Sequence, residues 1–168
     1  RSAMKHPAIH GLYAITDPAL IRDRQLLPAA EAALRGGARL LQYRDKTATP
    51  AQRRHRAAQL QALCRQHDAL FLVNDDPALA ADIDADGVHI GQSDGGIARA
   101  RRLLGPGKII GVTCHSDLAL AEQAAAAGAD YVAFGRFFPS RTKPLAPSGD
   151  PRPGPSTADD SAGRHRRH

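Results

Sequence analysis

The sequence contains no tryptophan, only three tyrosines and four phenylalanines, and only two cysteines in 168 residues. Because Cys64 and Cys114 are far apart and form no CxxC pair, they indicate a reducing compartment with buried or idle thiols rather than a disulfide framework. No run of 18 apolar residues occurs, and the first residues lack the apolar core of a secretory signal. We therefore expect a soluble, cytoplasmic protein with no membrane partner.

The charge balance is basic, with 23 Lys and Arg against 17 Asp and Glu and a formal net charge of +6. Clustered cations are typical of nucleic-acid-binding proteins, so a nucleic-acid-binding module is one interpretation. The few aromatic residues are not interleaved with the cations, as they would be on a surface that stacks bases. We therefore expect anionic small molecules as partners and no specific nucleic acid.

The composition changes abruptly after Ala146. Residues 147–168 contain no Ile, Leu, Val, Met, Phe, Tyr or Cys, so this tail has little apolar surface to offset the entropy of ordering its backbone. The tail is predicted to be disordered and unrelated to the preceding domain. Residues 1–10 are interpreted as an N-terminal extension, and the folded domain is expected over residues 11–146.

Within this domain, short runs of Val, Ile, Leu, Phe and Tyr alternate with Ala-rich stretches of helical periodicity. Strands are predicted over residues 11–16, 39–44, 69–74, 87–91, 108–113 and 130–138. Helices are predicted near residues 25–35, 50–67, 77–83, 96–104 and 117–127. The alternation predicts an α/β fold with a parallel sheet and right-handed crossovers.

The polar residues distinguish an open sheet from a barrel of the TIM (β/α)8 type. The first strand is followed by Thr16-Asp17-Pro18-Ala19 and no GxGxxG motif is present, whereas open nucleotide-binding sheets carry such a glycine-rich loop. Polar side chains instead follow all six strands, as the mouth of a barrel requires. About six βα units fit in the domain and the last two are missing. We expect an incomplete barrel whose open sheet edges promote homo-oligomers or aggregation.

The end of the second strand carries the first candidate site. Strand alternation places Gln42, Arg44 and Lys46 on one side and Tyr43 and Asp45 on the other. Two cations and an amide at one mouth suit a pyrophosphate, because Arg supplies a fork of donors and Lys a point charge. Charged residues that merely flank a strand end are an equally good interpretation of these residues alone.

Two acidic residues after neighbouring strands form the second candidate site. Asp75 and Asp94 are candidate ligands for Mg²⁺, which favours one or two carboxylates together with phosphate oxygens and water. Asp76 precedes Pro77 at a predicted helix start and is interpreted as a helix cap. Helix capping is also the alternative interpretation of Asp94.

Two further segments carry polar residues after strands. The loop with Ser140, Thr142 and Lys143 is typical of a phosphate clamp, with an ordinary surface loop as the alternative. Thr113 offers an inward hydroxyl after the fifth strand. His115 is either a catalytic residue or a residue at the entry to the next helix with no chemical role. No Ser-His-Asp or Cys-His arrangement and no zinc-ligand spacing is recognisable.

In their order along the chain, six of these stretches resemble the thiamine-phosphate synthase family, which joins the pyrimidine and thiazole halves of thiamine. The stretches are GLYAITDP (11–18), GGARLLQYRDK (36–46), LVNDDPALA (72–80), GVHIGQSD (87–94), IIGVTCH (109–115) and GADYVAFGRFFPSRTKP (128–144). The resemblance implies an α/β barrel and covers residues 11–146.

The resemblance also implies roles for individual residues. The diphosphate of hydroxymethylpyrimidine diphosphate would be held by Gln42, Arg44, Lys46 and Asn74, and Lys143 would contact it too. Thr113 would contact the same substrate. The thiazole phosphate would be contacted by Ser140 and Thr142. Asp75 and Asp94 would bind a bridging Mg²⁺ ion. The catalytic residues would be Arg44, Lys46, Thr113 and Lys143.

The implied reaction is a dissociative, Mg-assisted condensation of hydroxymethylpyrimidine diphosphate with hydroxyethylthiazole phosphate. Pyrophosphate departs, a pyrimidine carbocation forms and the thiazole nitrogen captures it, so electrostatic stabilisation and positioning are needed but no protein nucleophile. The family's last two strands have no counterpart after Ala146. The chain is thus expected to be either an active transferase or an inactive remnant that keeps the pyrimidine diphosphate half-site. A thiazole tautomerase-like relative is disfavoured by the paired acids and the Gln-Arg-Lys strand end.

Overall fold

A computed structural model of the chain describes residues 9–18, 21–91 and 96–135. In chain order, its elements are β1 (Leu12–Ile15), a 3-10 turn (Asp23–Gln25), α1 (Leu26–Arg35), β2 (Ala38–Tyr43), α2 (Pro50–Gln66), β3 (Leu70–Asn74), α3 (Pro77–Asp82), β4 (Gly87–Ile90), α4 (Gly96–Leu104), β5 (Ile109–Thr113), α5 (Leu118–Ala126) and β6 (Tyr131–Ala133). The predicted strands and helices are confirmed, with boundaries that differ by one or two residues except at the end of the sixth strand. The predicted tail, residues 147–168, lies outside the described residues.

The helices begin and end where local chemistry favours it. Thr49 caps α2 in a reciprocal box, in which its hydroxyl accepts from the Gln52 backbone and the Gln52 side chain accepts from the Thr49 backbone. Asp76 accepts from Leu79 N at the start of α3, so its interpretation as a cap is confirmed. Gly37 and Gly128 follow α1 and α5 with φ of +105° and +100°, a conformation that glycine adopts without strain.

The six described strands form one sheet, in the order β1-β2-β3-β4-β5-β6, and every neighbouring pair is parallel. A doubly wound sheet would reverse its strand order at a switch point, and this one does not. With right-handed crossovers, sequential order places all the helices on one face. The prediction of a barrel-like rather than doubly wound sheet is therefore confirmed over these strands, whereas the assignment to an eight-unit barrel family with its last two units missing stays a prediction.

The sheet is strongly curled. In a flat sheet, β1 and β6 would be five strand spacings apart, or about 24 Å, which two tyrosine side chains cannot span. Yet the hydroxyl oxygens of Tyr13 on β1 and Tyr131 on β6 are 2.6 Å apart. The strands therefore enclose a partial barrel, and we call the concave side of the sheet the lumen.

Strand alternation divides the buried side chains between the two faces of the sheet. The larger cluster packs β2 to β5 against the helices and includes Leu41, Phe71, Val88 and Ile110. The smaller cluster lies in the lumen, where Ile9, Leu40, Leu72, Ile109 and Tyr131 are its buried members. The lumen is thus apolar towards the amino ends of the strands, which leaves the carboxyl ends for polar side chains.

Candidate active site

Three predicted site residues follow one another along β2 and the loop after it. Gln42 is fully buried in the lumen. Arg44 is half-buried, and its backbone N–H donates to Thr16 Oγ1 at 3.1 Å, which ties the end of β2 to the end of β1. Within the described ranges, the Arg44 guanidinium makes no hydrogen bond or ion pair. Lys46 is exposed beside it.

Asp45 anchors the loop that carries these two cations. Its side chain is 5% exposed, and its Oδ1 accepts from Thr47 N, Thr47 Oγ1 and Ala48 N, each at 3.0 Å. Its Oδ2 accepts from Tyr43 Oη and from Arg56 Nη1 on α2, both at 3.1 Å. One carboxylate therefore holds the loop from the helix side, while Arg44 and Lys46 face the mouth. The predicted separation of Gln42 from Tyr43 and Asp45 is confirmed, since Gln42 contacts Tyr13 in the lumen whereas Tyr43 and Asp45 lie on the helix side.

The environment of Asp45 also affects two ionisation equilibria. Burial opposes the charged form of Asp45, but the hydrogen bonds from Thr47, Ala48 and Tyr43 outweigh it, so the pKa of Asp45 lies below its ordinary value. Burial, together with the nearby charge of Asp45, raises the pKa of Tyr43 to about 12. Near neutral pH the pair therefore consists of a carboxylate and a neutral phenol that donates to it.

Asp75 stands at the end of β3 in a left-handed conformation, with φ of 57°. Aspartate tolerates this region better than most residues, and two contacts to the end of β4 hold it there. Its backbone N–H donates to His89 O at 2.8 Å, and its Oδ1 accepts from Gly91 N at 3.2 Å. Its Oδ2 is 3.5 Å from Lys46 Nζ. The structure thus brings two of the predicted site residues into direct contact across the ends of β2 and β3.

A chain of side-chain hydrogen bonds crosses the lumen just below this mouth. Gln42 Nε2 donates to Tyr13 Oη at 2.9 Å, and Tyr13 Oη is 2.6 Å from Tyr131 Oη. Tyr131 Oη is 2.7 Å from His89 Nδ1, and His89 Nε2 is 2.7 Å from Thr113 Oγ1. We call these five residues the lumen chain. It joins five of the six described strands, and Thr113 is its end on β5.

Two groups of the lumen chain are relevant to ligand binding. Burial lowers the pKa of His89 to about 4, against an opposing influence of Asp75, so the imidazole is neutral near pH 7. The amide oxygen of Gln42 is buried and has no hydrogen-bond partner among the described residues. A buried acceptor without a donor is costly, and a bound ligand with an N–H or O–H group would satisfy it.

The remaining predicted residues divide into two groups. Asn74 is the register partner of His89 and is half-buried at the end of β3. His115 is exposed, with φ of 51°, and its carbonyl accepts from Gly135 N at 2.8 Å. Asp94, Ser140, Thr142 and Lys143 lie outside the described residues, so their proposed roles stay predictions. Across the described ranges, no group of three or more His, Cys, Asp or Glu side chains could hold a metal ion.

Sequence reasoning missed the structural partners of the site. It gave no role to Tyr13, Tyr131 or Asp45, and it noted His89 only as a polar residue near a strand end. One signal was available for the tyrosines, since each occupies a strand position that alternation directs away from the helix-packed face. Their mutual contact depends on the curl of the sheet and could not be inferred from the pattern of either strand.

A parallel sheet in sequential order, with cations and a carboxylate at the carboxyl ends of its strands, is typical of α/β-barrel enzymes that bind phosphorylated substrates. Residues 12–152 of this chain match the sequence model of one protein family, which is described as thiamine monophosphate synthase. The chain belongs to that family.

Relatives and a solved structure agree with this assignment. A thiamine-phosphate synthase of Alcanivorax borkumensis is 75% identical over 139 residues, which are 83% of this chain and 64% of the relative. A thiamine-phosphate synthase of Chromobacterium violaceum is 57% identical over 83% of this chain and 67% of the relative. A thiamine phosphate pyrophosphorylase of Pyrococcus furiosus has a similar structure, with a TM-score of 0.67, 38% identity, and coverage of 77% of this chain and 61% of that protein. The chain therefore spans just under two thirds of the Alcanivorax relative. In the ranges described, no helix is long and apolar enough to cross a membrane.

Proposed function

We propose that the chain carries out the reaction for which its relatives are named, the condensation of hydroxymethylpyrimidine diphosphate with hydroxyethylthiazole phosphate in thiamine biosynthesis. The observation that carries the proposal is the mouth formed by Arg44, Lys46 and Asp75 above the neutral lumen chain. A multiply charged diphosphate leaving group would lie at the mouth, and an uncharged heterocycle would fit in the lumen beneath it. This arrangement matches a heterocycle joined to a diphosphate.

The two cations would stabilise the leaving group. Arg44 can donate two parallel hydrogen bonds to phosphate oxygens, and Lys46 supplies a compact charge beside it. Both act on charge that grows as the carbon–oxygen bond breaks, so they would stabilise the transition state more than the bound substrate. The Asp45 anchor holds their loop in place before the substrate arrives, which reduces the cost of ordering it.

The lumen would receive the pyrimidine. Gln42 donates its amide N–H to Tyr13, so the group that it can offer to a ligand is its carbonyl oxygen, which has no hydrogen-bond partner among the described residues. That oxygen suits the amino group of a heterocycle and would repel a phosphate oxygen. We therefore propose a modified role for Gln42, as an acceptor for the pyrimidine rather than a ligand of the diphosphate.

A Mg²⁺ ion fits the residues at the mouth. Asp75 is exposed enough to bind a hydrated cation, its carboxylate lies beside the proposed phosphate site, and Mg²⁺ commonly takes one or two protein carboxylates plus phosphate oxygens. Asp75 would hold the ion together with Asp94, the second carboxylate that the family resemblance implies. When bound, the ion would neutralise part of the charge on the departing pyrophosphate.

Isothermal titration calorimetry with hydroxymethylpyrimidine diphosphate and Mg²⁺, combined with an assay of pyrophosphate release, tests this function. The substitution Lys46→Ala is expected to weaken diphosphate binding about tenfold or more, as the loss of a charged contact does. Lys108→Ala is the matched control, because Lys108 pairs with Asp84 before β5 at the opposite end of the sheet. Equal effects of the two substitutions would refute the site.

The same assay separates an active transferase from a remnant. Release of pyrophosphate only when hydroxyethylthiazole phosphate is also present supports the complete reaction. Binding of the diphosphate without any release, at saturating concentrations of both substrates, would instead establish the half-site interpretation. Loss of the Mg²⁺ dependence of binding in Asp75→Asn would support the role of Asp75.

A further inference from the structure

Arg56 on α2 contacts carboxylates from two different segments of the chain. Its Nη2 donates to Asp23 Oδ2 at 2.6 Å, and its Nη1 donates to Asp45 Oδ2 at 3.1 Å. Asp23 is the first residue of the 3-10 turn before α1. Asp45 anchors the loop of residues 44–48, which we call the cation loop after its two cations. One guanidinium therefore links the start of α1 to the cation loop.

The burial of the three side chains indicates how this link works. The side chains of Arg56 and Asp45 are 16% and 5% exposed, whereas that of Asp23 is 70% exposed. A guanidinium presents its donors in a rigid plane, so a bond to one carboxylate fixes the direction of the donors that face the other. Asp23 therefore holds the guanidinium in the orientation in which Nη1 reaches Asp45.

The start of α1 and the cation loop also face each other across a small cavity. Its volume is about 10 Å³, and its lining includes Ile21 and Asp23 on one side and Tyr43 and Asp45 on the other. A space of this size holds about one water molecule. The cation loop thus has little room to move towards α1 while Asp23 and Arg56 stay paired.

We propose that Asp23 is a positioning residue, which acts through Arg56 on the Asp45 carboxylate and so holds Arg44 and Lys46 where they meet a diphosphate. The part of this inference that concerns the cation loop depends on the geometry alone. The part that concerns the diphosphate rests on the proposed function.

The charge of Asp23 separates this role from a general electrostatic one. Asp23→Asn removes a negative charge from a segment that lines one cavity together with Arg44, so electrostatics alone should leave the affinity for a diphosphate unchanged or raise it. Loss of positioning has the opposite sign, because Arg44 and Lys46 would then have to be ordered when the ligand binds. Asp23→Glu keeps the carboxylate on an exposed side chain and should restore most of the affinity.

Amide hydrogen exchange without ligand, followed by ¹H–¹⁵N spectroscopy, tests the effect on the cation loop. The reporters are the backbone N–H groups of Thr47 and Ala48, which both donate to Asp45 Oδ1. Asp23→Asn is expected to raise their exchange rates about twofold to fivefold, as the loss of a largely exposed ion pair implies. The effect stays limited because Arg53 still donates to the carbonyl oxygens of Asp45 and Ala48.

Two further substitutions show whether the effect passes through Arg56. Arg56→Lys keeps the positive charge but replaces the fork by a single ammonium group, so it should raise the same exchange rates. Adding Asp23→Asn to this variant should then cause no further increase. Asp82→Asn is the matched control, because Asp82 pairs at 3.1 Å with Arg54 on the same helix, and it should leave the reporters unchanged.

Calorimetry with hydroxymethylpyrimidine diphosphate and Mg²⁺ tests the effect on the ligand. Asp23→Asn is expected to weaken the affinity about twofold to fivefold, and Asp23→Glu to recover most of it. Unchanged exchange at Thr47 and Ala48 in Asp23→Asn would overturn the proposal, and so would unchanged or tighter binding by that variant. No binding by the unaltered chain would instead contradict the proposed function, and the exchange result would still decide whether Asp23 positions the cation loop.

Discussion

Replacing Asp45 should separate the anchoring of the site loop from the binding of ligand. The side chain is 5% exposed and accepts five hydrogen bonds, two from backbone N–H groups, two from hydroxyls and one from Arg56. Asp45→Ala leaves all of these donors without their acceptor. Asp45→Asn keeps the shape of the side chain and retains one oxygen for the loop.

The expected loss of stability follows from these contacts. Breaking a buried ion pair by removing one partner costs about 3–5 kcal/mol, and we expect a loss in this range for Asp45→Ala. Asp45→Asn should cost about 2–3 kcal/mol, because its oxygen can still accept from Thr47 and Ala48, whereas Arg56 keeps only its 2.6 Å contact with Asp23. With a urea dependence of about 2 kcal/mol/M, the unfolding midpoint should fall by about 1–1.5 M for Asp45→Asn and by about 1.5–2.5 M for Asp45→Ala.

Urea unfolding followed by circular dichroism measures this loss, since the chain has no tryptophan to report by fluorescence. Asp82→Asn is the matched control. Asp82 also pairs with an arginine of α2, Arg54 at 3.1 Å, but its side chain is 61% exposed, so its loss should cost less than about 1 kcal/mol. A midpoint for Asp45→Asn within about 0.3 M of the unaltered chain would refute the anchoring role.

The pH dependence gives a second check on Asp45. Because the folded chain lowers the pKa of this carboxyl, its contribution to stability is present above the ordinary pKa of aspartate, about 3.9, and is lost as the pH falls through the folded pKa. The difference in unfolding free energy between the unaltered chain and Asp45→Asn should therefore be constant near pH 7 and shrink below about pH 4. A difference that grows on acidification would contradict the assigned charge state.

Three further substitutions or treatments test the fold around the site. Gly111→Ala should destabilise the chain by about 1–3 kcal/mol in urea unfolding, because the new methyl group would collide with the Tyr131 ring. Gly91→Ala should be nearly neutral, because no atom of the described residues lies within 4 Å of the new methyl group. Asp76→Ala should cost about 0.5–2 kcal/mol through loss of the bond to the first turn of α3, and a smaller change in the same measurement would contradict the cap. Cys64 should resist thiol reagents at pH 8 in the folded chain, because it is buried and burial raises its pKa to about 12. Labelling as fast as in urea would contradict this.

The fold could be predicted closely from local patterns. Each strand is a short apolar run, and helix starts are marked by residues such as Thr49 and Asp76, whose capping chemistry acts over three residues. The shared direction of Arg44 and Lys46 follows from strand alternation alone. These inferences succeed because the interactions that decide them join residues only a few positions apart in the sequence.

The partners of the site could not be predicted in this way, because they depend on tertiary geometry. The anchor at Asp45 needs Arg56 from α2, eleven residues later. The hydrogen bond between Tyr13 and Tyr131 spans 118 positions and joins β1 and β6, the first and last strands in the order of the described sheet. Nothing in a single strand specifies how far the sheet curls. The proximity of Lys46 to Asp75 is easier to predict from the sequence, because the carboxyl ends of neighbouring parallel strands lie side by side at one edge of the sheet.

The side chains on the two faces of β2 have different roles in the site. Substitutions on one face should therefore change the unfolding free energy, and substitutions on the other face the affinity for ligand. On the helix side, Tyr43 and Asp45 are buried among permanent partners, so their loss should appear first in the unfolding free energy. Among the residues that the structure describes, Lys46 contacts only Asp75 by an ion pair and the Arg44 guanidinium has no partner. Their loss should therefore leave stability nearly unchanged and reduce the affinity for a diphosphate. Gln42 belongs to both groups, because its nitrogen donates to Tyr13 whereas its oxygen has no hydrogen-bond partner in the part of the chain that the structure describes. It is therefore the residue at which ligand binding and folding should be coupled, and a bound pyrimidine should stabilise the unaltered chain against urea more than it stabilises Gln42→Leu.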